Sequence, residues 1–295
     1  MATDLLMKRT VRLVALGIVA VAAVACAQVL GIGDFSDVGG GAGTTSDTGG
    51  AGTGGGTSAG TSTGTSSSGG GGASVAVWSR QFGGDGEDNA FAVAVTSLDD
   101  IVIGGDFTSS ISFGGESIES VVSSFTDCDA FVVMLDTDGV HRWTDHLSGD
   151  GEEHVDGIAV SSSNDVLVAG WHRAQLVTPG GDDDWGGHGG DDVYLMKLDA
   201  TGAYLWGDRP SVGGGAQRAT GIAHGADSQV VVTGYFETSI DIAGDNNVVN
   251  VDHGPDNAFV AQFDSSGTGI GSENFGLWGH QRPEDMTVLS DETMV

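Results

Sequence analysis

Short hydrophobic runs recur along the chain from about residue 78 onward, separated by polar turns rich in Gly and Asp. One type of run alternates small and apolar residues, as in 92–95, and a second is continuously apolar and ends in Gly, as in 101–105. A third type, such as 130–135, leads into an acidic turn. Runs of this length and composition predict strands, and a continuous apolar run predicts a strand covered on both faces. The pattern therefore predicts an all-β fold.

An Asp-x-x-Gly turn divides this region into units of nearly constant length. The turn ends at Gly139, Gly202 and Gly267, which are 63 and 65 residues apart. Such a regular period indicates an internal repeat. Turns between strands often need Gly in the left-handed backbone region, so we interpret the motif as a turn and not as a metal-binding loop.

A tryptophan accompanies most copies of the turn. Trp143 and Trp206 lie four residues after the first two turn glycines, and Trp78 matches them at the start of the array. The fourth copy has Gly271 at this position. Because the tryptophan is replaceable, we expect it to serve in packing rather than in stacking on a ligand.

Four short strands per unit match a propeller blade, a twisted four-stranded sheet that stacks on its neighbours. The chain resembles the bacterial β-propeller repeat family, often called seven-bladed propeller repeats, through Phe82-Gly83-Gly84, the Val-x-Val-x-Gly strand and Asp129-Ala130-Phe131. The resemblance covers about residues 78–295. It implies an exported, often surface-attached protein, and it supplies no catalytic residues.

We expect the region 76–295 to form an incomplete ring of about three and a half four-stranded blades. Ala92, Gly157 and Gly221 should lie where strands crowd towards the axis of the ring. The fourth copy ends within its third predicted strand, so we expect either a fragment of a longer protein or closure by a second chain. The predicted blades are 76–139, 140–202, 203–267 and the truncated 268–295.

The N-terminal residues have the layout of a secretory signal. Basic residues at positions 8, 9 and 12 precede an apolar run over 13–25, which is too short for a comfortable membrane span. We predict a signal peptide over residues 1–25, with Met7 as an alternative to Met1 as the start.

The end of this signal, Ala22-Ala23-Val24-Ala25-Cys26, resembles the lipobox of bacterial lipoproteins. The resemblance implies that Cys26 is acylated and becomes the mature N-terminus. Ala27 after the cysteine implies the outer membrane, facing the periplasm or the cell surface. The segment also fits ordinary cleavage after Ala25, which would give a freely secreted protein.

Residues 26–75 are predicted to be a flexible tether. From 38 to 73 the chain is almost only Gly, Ser and Thr. This composition lacks the apolar side chains whose burial could offset the entropy of ordering. A coil of this kind could hold a folded domain clear of a lipid surface.

Charge excludes one class of partner. The net charge is -31, from 10 Lys and Arg against 41 Asp and Glu. Nucleic-acid binding depends on a basic surface, so we expect no nucleic-acid partner. Most carboxylates lie in turns, where they favour solubility.

One acidic loop could bind a divalent cation such as Ca²⁺, which prefers oxygen ligands on a Gly-rich segment. The corresponding loops of the other units lack its Asp cluster, which favours a solvated loop instead. We expect no other cofactor. The candidate ligands are Asp182, Asp183, Asp184, Asp191 and Asp192.

No residue set indicates a reaction. The eight histidines show no zinc-binding spacing, and no Ser, His and Asp set recurs at matching positions. We therefore predict a membrane-anchored envelope lipoprotein that acts as a binding or scaffold module for an unknown protein or carbohydrate. We do not predict an enzyme. The alternatives are a propeller enzyme, such as a Ca²⁺-dependent hydrolase, and a non-functional fragment.

Overall fold

The structure is a computed structural model that describes residues 61–62, 78–121, 127–180, 184–187, 189–209, 215–225, 228–243, 248–249, 255–276 and 278–288. The chain divides into two compact units, Met1–Gln81 and Phe82–Val295. In the first unit, β1 (Thr61–Ser62) pairs antiparallel with β2 (Ser79–Arg80). The predicted signal peptide, Cys26 and most of the predicted tether lie outside the described residues.

The second unit is built of strands, and its described residues contain no α-helix, which confirms the all-β prediction. No helix in the described ranges is long and apolar enough to cross a membrane. The strands are β3 Asp88–Val95, β4 Ile101–Phe107, β5 Ser110–Ile111, β6 Ile118–Glu119, β7 Asp129–Leu135, β8 His141–Gly149, β9 Glu153–Val160, β10 Val166–Arg173, β11 Leu176–Val177, β12 Asp184–Trp185, β13 Asp191–Leu198, β14 Tyr204–Asp208, β15 Gln217–His224, β16 Val230–Phe236, β17 Ser239–Ile240, β18 Val248–Val249, β19 Asn257–Phe263 and β20 Gly269–Phe275.

Three antiparallel meanders organise these strands. The first sheet has the order β3-β4-β7-β8, the second β9-β10-β13-β14 and the third β15-β16-β19-β20. A two-stranded hairpin lies between the second and third long strands of each repeat, and the hairpin β11-β12 extends the first sheet through β8. None of the sheets closes on itself.

The sheets stack through their first strands. Strand β9 packs against β3 and β4, and β15 packs against β9 and β10. Gly157 and Gly221 make this approach possible, because a Cβ at Gly157 would lie 3.1 Å from Ile222, and one at Gly221 would lie 3.0 Å from the Met286 nitrogen. Both glycines thus lie at crowded contacts between repeats, and their position towards the axis of a ring stays a prediction.

The described residues form three apolar cores, one between each pair of successive sheets and a third on the opposite face of the first sheet, around Phe107 and Phe131. The core between the first and second sheets includes Val102, Met134, Val155 and Val168. The core between the second and third sheets includes Leu167, Leu195, Ile222, Val232 and Phe263. The continuous apolar strands β10 and β16 are buried over almost their full length, as the sequence predicted for strands covered on both faces.

The turn glycines have the predicted backbone conformation. The φ angles of Gly139, Gly202 and Gly267 are 71°, 87° and 85°. The Asp that begins each turn accepts two backbone N–H groups through one oxygen, as Asp199 does from Thr201 and Ala203. These contacts support the interpretation of the motif as a turn.

Tryptophans fasten successive sheets to these turns. The Trp143 indole N–H donates to the Ala200 carbonyl at 3.2 Å, and that of Trp206 donates to Ser265 at 3.1 Å. The rings lie so close that a Cβ at Gly202 would be 2.9 Å from Trp143. These contacts agree with the packing role predicted for the tryptophans.

The sheets are offset from the predicted sequence blades by one strand. Trp143 lies in β8 and pairs with Met134 of β7, so it closes the first sheet instead of opening the second. Each Asp-x-x-Gly turn is thus a hairpin inside a sheet. A periodic sequence can be divided at any point of its period, and only strand pairing shows which four strands share a sheet. The number of blades stays a prediction.

Candidate functional site

A basic side chain of each repeat contacts the sheet of the preceding repeat. At the second joint (Trp171, Asp191, Arg218), Arg218 of β15 lies 3.7 Å from the Trp171 ring centre of β10, and its Nε donates to Asp191 at 2.7 Å. The third joint (Tyr235, Asp256, Arg282) repeats this arrangement, with Arg282 over Tyr235 at 4.3 Å and ion-paired with Asp256. The second and third joints thus each combine a cation–π contact with an ion pair.

The first joint (Asp106, Cys128, His154) uses other residues at the same three places. Cys128 lies 11 residues before its turn glycine, as Asp191 and Asp256 do before theirs. His154 has the strand position of Arg218, and Asp106 that of Trp171. In the first joint the carboxylate thus comes from the second strand of the sheet (Asp106), whereas in the second joint it comes from the third strand (Asp191). The thiol of Cys128 occupies the position equivalent to Asp191.

The histidine bridges the other two groups. His154 Nδ1 lies 2.7 Å from Asp106 Oδ2, and His154 Nε2 lies 3.3 Å from Cys128 Sγ. Asp106 Oδ1 also accepts from Asn89 at 2.9 Å. Trp171 stacks on the imidazole at 4.0 Å and 16°. The ring is thus held at both nitrogens and on one face.

Electrostatics keep the thiol neutral. Burial raises the pKa of Cys128 to about 12, and the negative charges of Asp106, Glu152 and Glu153 add to this. Because Asp106 accepts, we assign N–H donation to it from His154 Nδ1, which leaves Nε2 as an acceptor; the Cys128 S–H can donate to Nε2 at 3.3 Å or to the Glu153 carbonyl at 3.8 Å. This hydrogen-bond order matches that of a nucleophile, base and orienting acid, but the thiol is not ionised.

The same three groups also offer ligand atoms to a metal ion, all within 4.8 Å of one another. Cysteine sulfur and histidine nitrogen are ligands for zinc. The imidazole, however, lies between the carboxylate and the thiol and uses a nitrogen on each. An ion bound by all three groups would have to displace one of these hydrogen bonds.

Two further acids, the buried Glu153 and the half-buried Asp156, lie next to the first joint in β9. Burial raises the pKa of Glu153 to about 10, with a further contribution from Asp129. Burial also raises the pKa of Asp156, although His154 and Arg218 counteract this. Asp156 occupies the bulge in the pairing of β9 with β10.

The predicted cation ligands are only partly described. Asp191 accepts from Arg173 at 2.7 Å and from Arg218, so its carboxylate is engaged in ion pairs. Asp192 is buried in β13. Asp184 begins β12, but its side chain lies outside the described residues, as do Asp182 and Asp183. The Ca²⁺ site stays a prediction.

The first joint could not be found from the sequence, because its residues lie in β4, directly before β7 and in β9, far apart along the chain. A signal was nevertheless present. Alignment on the turn glycine places Cys128 where the other repeats have an acid, and this substitution could have directed attention to the neighbouring strands.

Comparison with known proteins identifies no related family. No protein-family model matches the chain, and no curated protein matches it. The resemblance to seven-bladed propeller repeats and to lipoprotein signals therefore stays a prediction from the sequence.

Proposed function

We propose that the chain is an exported, lipid-anchored binding and scaffold protein of the bacterial cell envelope. In this proposal, acylated Cys26 attaches the chain to the outer membrane and residues 26–75 form a tether. The region 76–295, a partial β-propeller, presents the binding surface. The observation that carries the proposal is that the glycine contacts between repeats recur, whereas the side chains of the joints differ from one interface to the next.

The packing contact at the glycine of the first strand recurs from one repeat to the next. Ile222 fits against Gly157, and Met286 of the next repeat fits against Gly221 in the same way. The side chains near the strand ends differ instead, as between the first and second joints. A repeat scaffold separates stacking positions from positions that are free to contact a ligand, and this division supports a binding role over a packed catalytic centre.

Metabolic labelling with a fatty acid tests the anchor. The wild-type chain should incorporate label and fractionate with membranes, whereas Cys26→Ala should do neither. Cys128→Ala is the matched control and should label like the wild type. Equal labelling of Cys26→Ala, or an unlabelled wild type that is released to the medium, would show that Cys26 carries no lipid.

The order of hydrogen bonds in the first joint is the observation behind a second candidate, a thiol-dependent hydrolase with Cys128 as nucleophile and His154 as base, although the buried and neutral thiol counts against it. Its requirement is a thiol that small electrophiles can reach in the folded protein. Rapid alkylation of native Cys128 by iodoacetamide, slowed in His154→Gln, would favour this candidate. Alkylation that occurs only on unfolding would exclude it.

A further inference from the structure

A small cavity lies between the second and third sheets, at the strand ends next to the hairpin turns. Its volume is about 230 Å³. This is below the ~300–1,000 Å³ of sites for drug-sized ligands, so it suits a small molecule. The floor is apolar, formed by the buried side chains of Leu167 and Val230. The polar lining residues are Ser161, Ser163, Lys197, His224, Ser228 and Ser265.

The polar character of this cavity is a departure from the repeat. Lys197 lies five residues before its turn glycine, at the position that Met134 has in the first sheet. His224 ends β15, as Val160 ends β9. Met134 and Val160 both belong to the apolar core between the first and second sheets. Two packing positions of one interface have thus become an ammonium and an imidazole at the next.

The hydrogen-bonding capacity of the lining is only partly used. Lys197 Nζ pairs with Asp165 Oδ2 at 2.8 Å, which leaves other N–H groups of the ammonium available. His224 Nε2 is buried and has no hydrogen-bond partner among the described residues. Burial and the Lys197 charge lower the pKa of His224, so its imidazole is neutral at pH 7 and offers one donor and one acceptor.

Charge selects among ligand classes. A cation would face Lys197, and an anion would face Asp165 and the field of a chain with a net charge of -31. Neutral hydroxyl groups can accept from Lys197 and can either donate to or accept from His224 and the serines. We propose that this cavity binds a small neutral polyhydroxylated molecule, such as a single sugar ring, with Lys197 and His224 as its main polar contacts.

The proposal names a ligand class for the binding role proposed above and rests on that role. The two fail separately, because the anchor is tested at Cys26 and the cavity at Lys197 and His224.

Saturation-transfer NMR on the full chain tests the cavity, with D-glucose, D-galactose and glycerol as probes. At least one probe should bind with a Kd on the order of 1 mM, as expected for about a dozen non-hydrogen atoms. Lys197→Met/His224→Val installs the residues of the neighbouring interface and should weaken binding at least about tenfold, since ~1.4 kcal/mol corresponds to tenfold. Ser162→Ala, on an exposed residue of the same hairpin that does not line the cavity, should bind like the wild type.

Wild-type protein gives a second readout that does not depend on the folding of the double variant. The imidazole resonances of His224 should shift when the bound probe is added. The proposal is overturned if no probe shows saturation transfer, if the folded double variant binds as well as the wild type, or if the His224 resonances do not move. Inorganic phosphate that binds and displaces the neutral probe would also overturn it, by assigning the cavity to anions.

Discussion

Replacing Glu153 with Gln should stabilise the protein at neutral pH. Glu153 is fully buried at the start of β9, and the corresponding position at the start of β15 holds Gln217, which is also fully buried. Gln281 holds the same place in the next repeat, since its backbone N–H donates to the Asp256 carbonyl as that of Glu153 donates to the Cys128 carbonyl. Cys128 and Asp256 occupy equivalent positions before their turn glycines. The strand thus accepts a neutral amide of nearly the same shape at this place.

The magnitude follows from the shift of the Glu153 pKa. Burial, with help from Asp129, raises this pKa from 4.5 to about 10, and the Gly151 N–H offsets only part of the shift. Because the folded pKa lies above the unfolded one, the fold retains a proton that the unfolded chain releases above pH 4.5. Stability therefore falls as the pH rises from the unfolded pKa toward the folded pKa. At ~1.4 kcal/mol per pH unit, the loss at pH 7 has an upper limit of about 3 kcal/mol.

Urea unfolding followed by tryptophan fluorescence between pH 5 and pH 9 measures this effect. The stability difference between Glu153→Gln and wild type should be small at pH 5 and should grow with pH to about 3 kcal/mol at neutrality. Glu87→Gln changes an exposed carboxylate and should show no such growth. A difference that is independent of pH, or a variant less stable than the wild type at pH 8, would refute the argument that Glu153 is held protonated.

Three other changes probe the contacts that hold the sheets together. Gly202→Ala should lower the free energy of unfolding by about 2 kcal/mol or more, because the new Cβ is strained at positive φ and collides with Trp143. Gly114→Ala, also at positive φ but with open space around its Cβ, should show the backbone strain alone in the same urea titration. Asp191→Asn should lower the free energy of unfolding by about 2 kcal/mol, because it weakens the ion pairs with Arg173 and Arg218, whose side chains are partly exposed. A loss below ~0.5 kcal/mol would show that these pairs contribute no more than ordinary surface ion pairs. Native Cys128 should resist iodoacetamide and react once urea unfolds the chain, because its pKa is about 12 and it is buried; mass spectrometry of the modified peptide distinguishes the two rates.

The sequence predicts the elements of the fold better than their grouping. Alternation in β9 and continuous apolarity in β10 are local properties of side chains, so strand type could be read directly. The left-handed turn glycines followed from turn chemistry in the same way. The assignment of Trp143 to the first sheet could not be read, because it depends on pairing with β7, and a repeat has the same period wherever its boundary is drawn.

The candidate site was less accessible from the sequence for a different reason. Asp106 lies in β4, Cys128 directly before β7 and His154 in β9 of the next sheet, and no short motif links them. Their contact depends on how far one sheet is displaced over another. The Gly157 contact with Ile222 fixes an equivalent displacement at the next interface, but only once the sheets are known to stack.

The first joint is informative because its acid–base pair is complete without the thiol. Asp191 and Asp256 each hold an arginine of the next repeat, and at the first joint Asp106 provides the same charge to His154 from the neighbouring strand. Cys128 therefore occupies the position of Asp191 and Asp256, while the acid that pairs with the basic side chain of the next repeat is Asp106 in β4. Lys197 and His224 present a parallel case, since the neighbouring interface packs with Met134 and Val160 at those places. In both cases the stacking contacts at glycine persist while the side chains around them change, and it is at such exchanged positions that we place the chemistry of this chain.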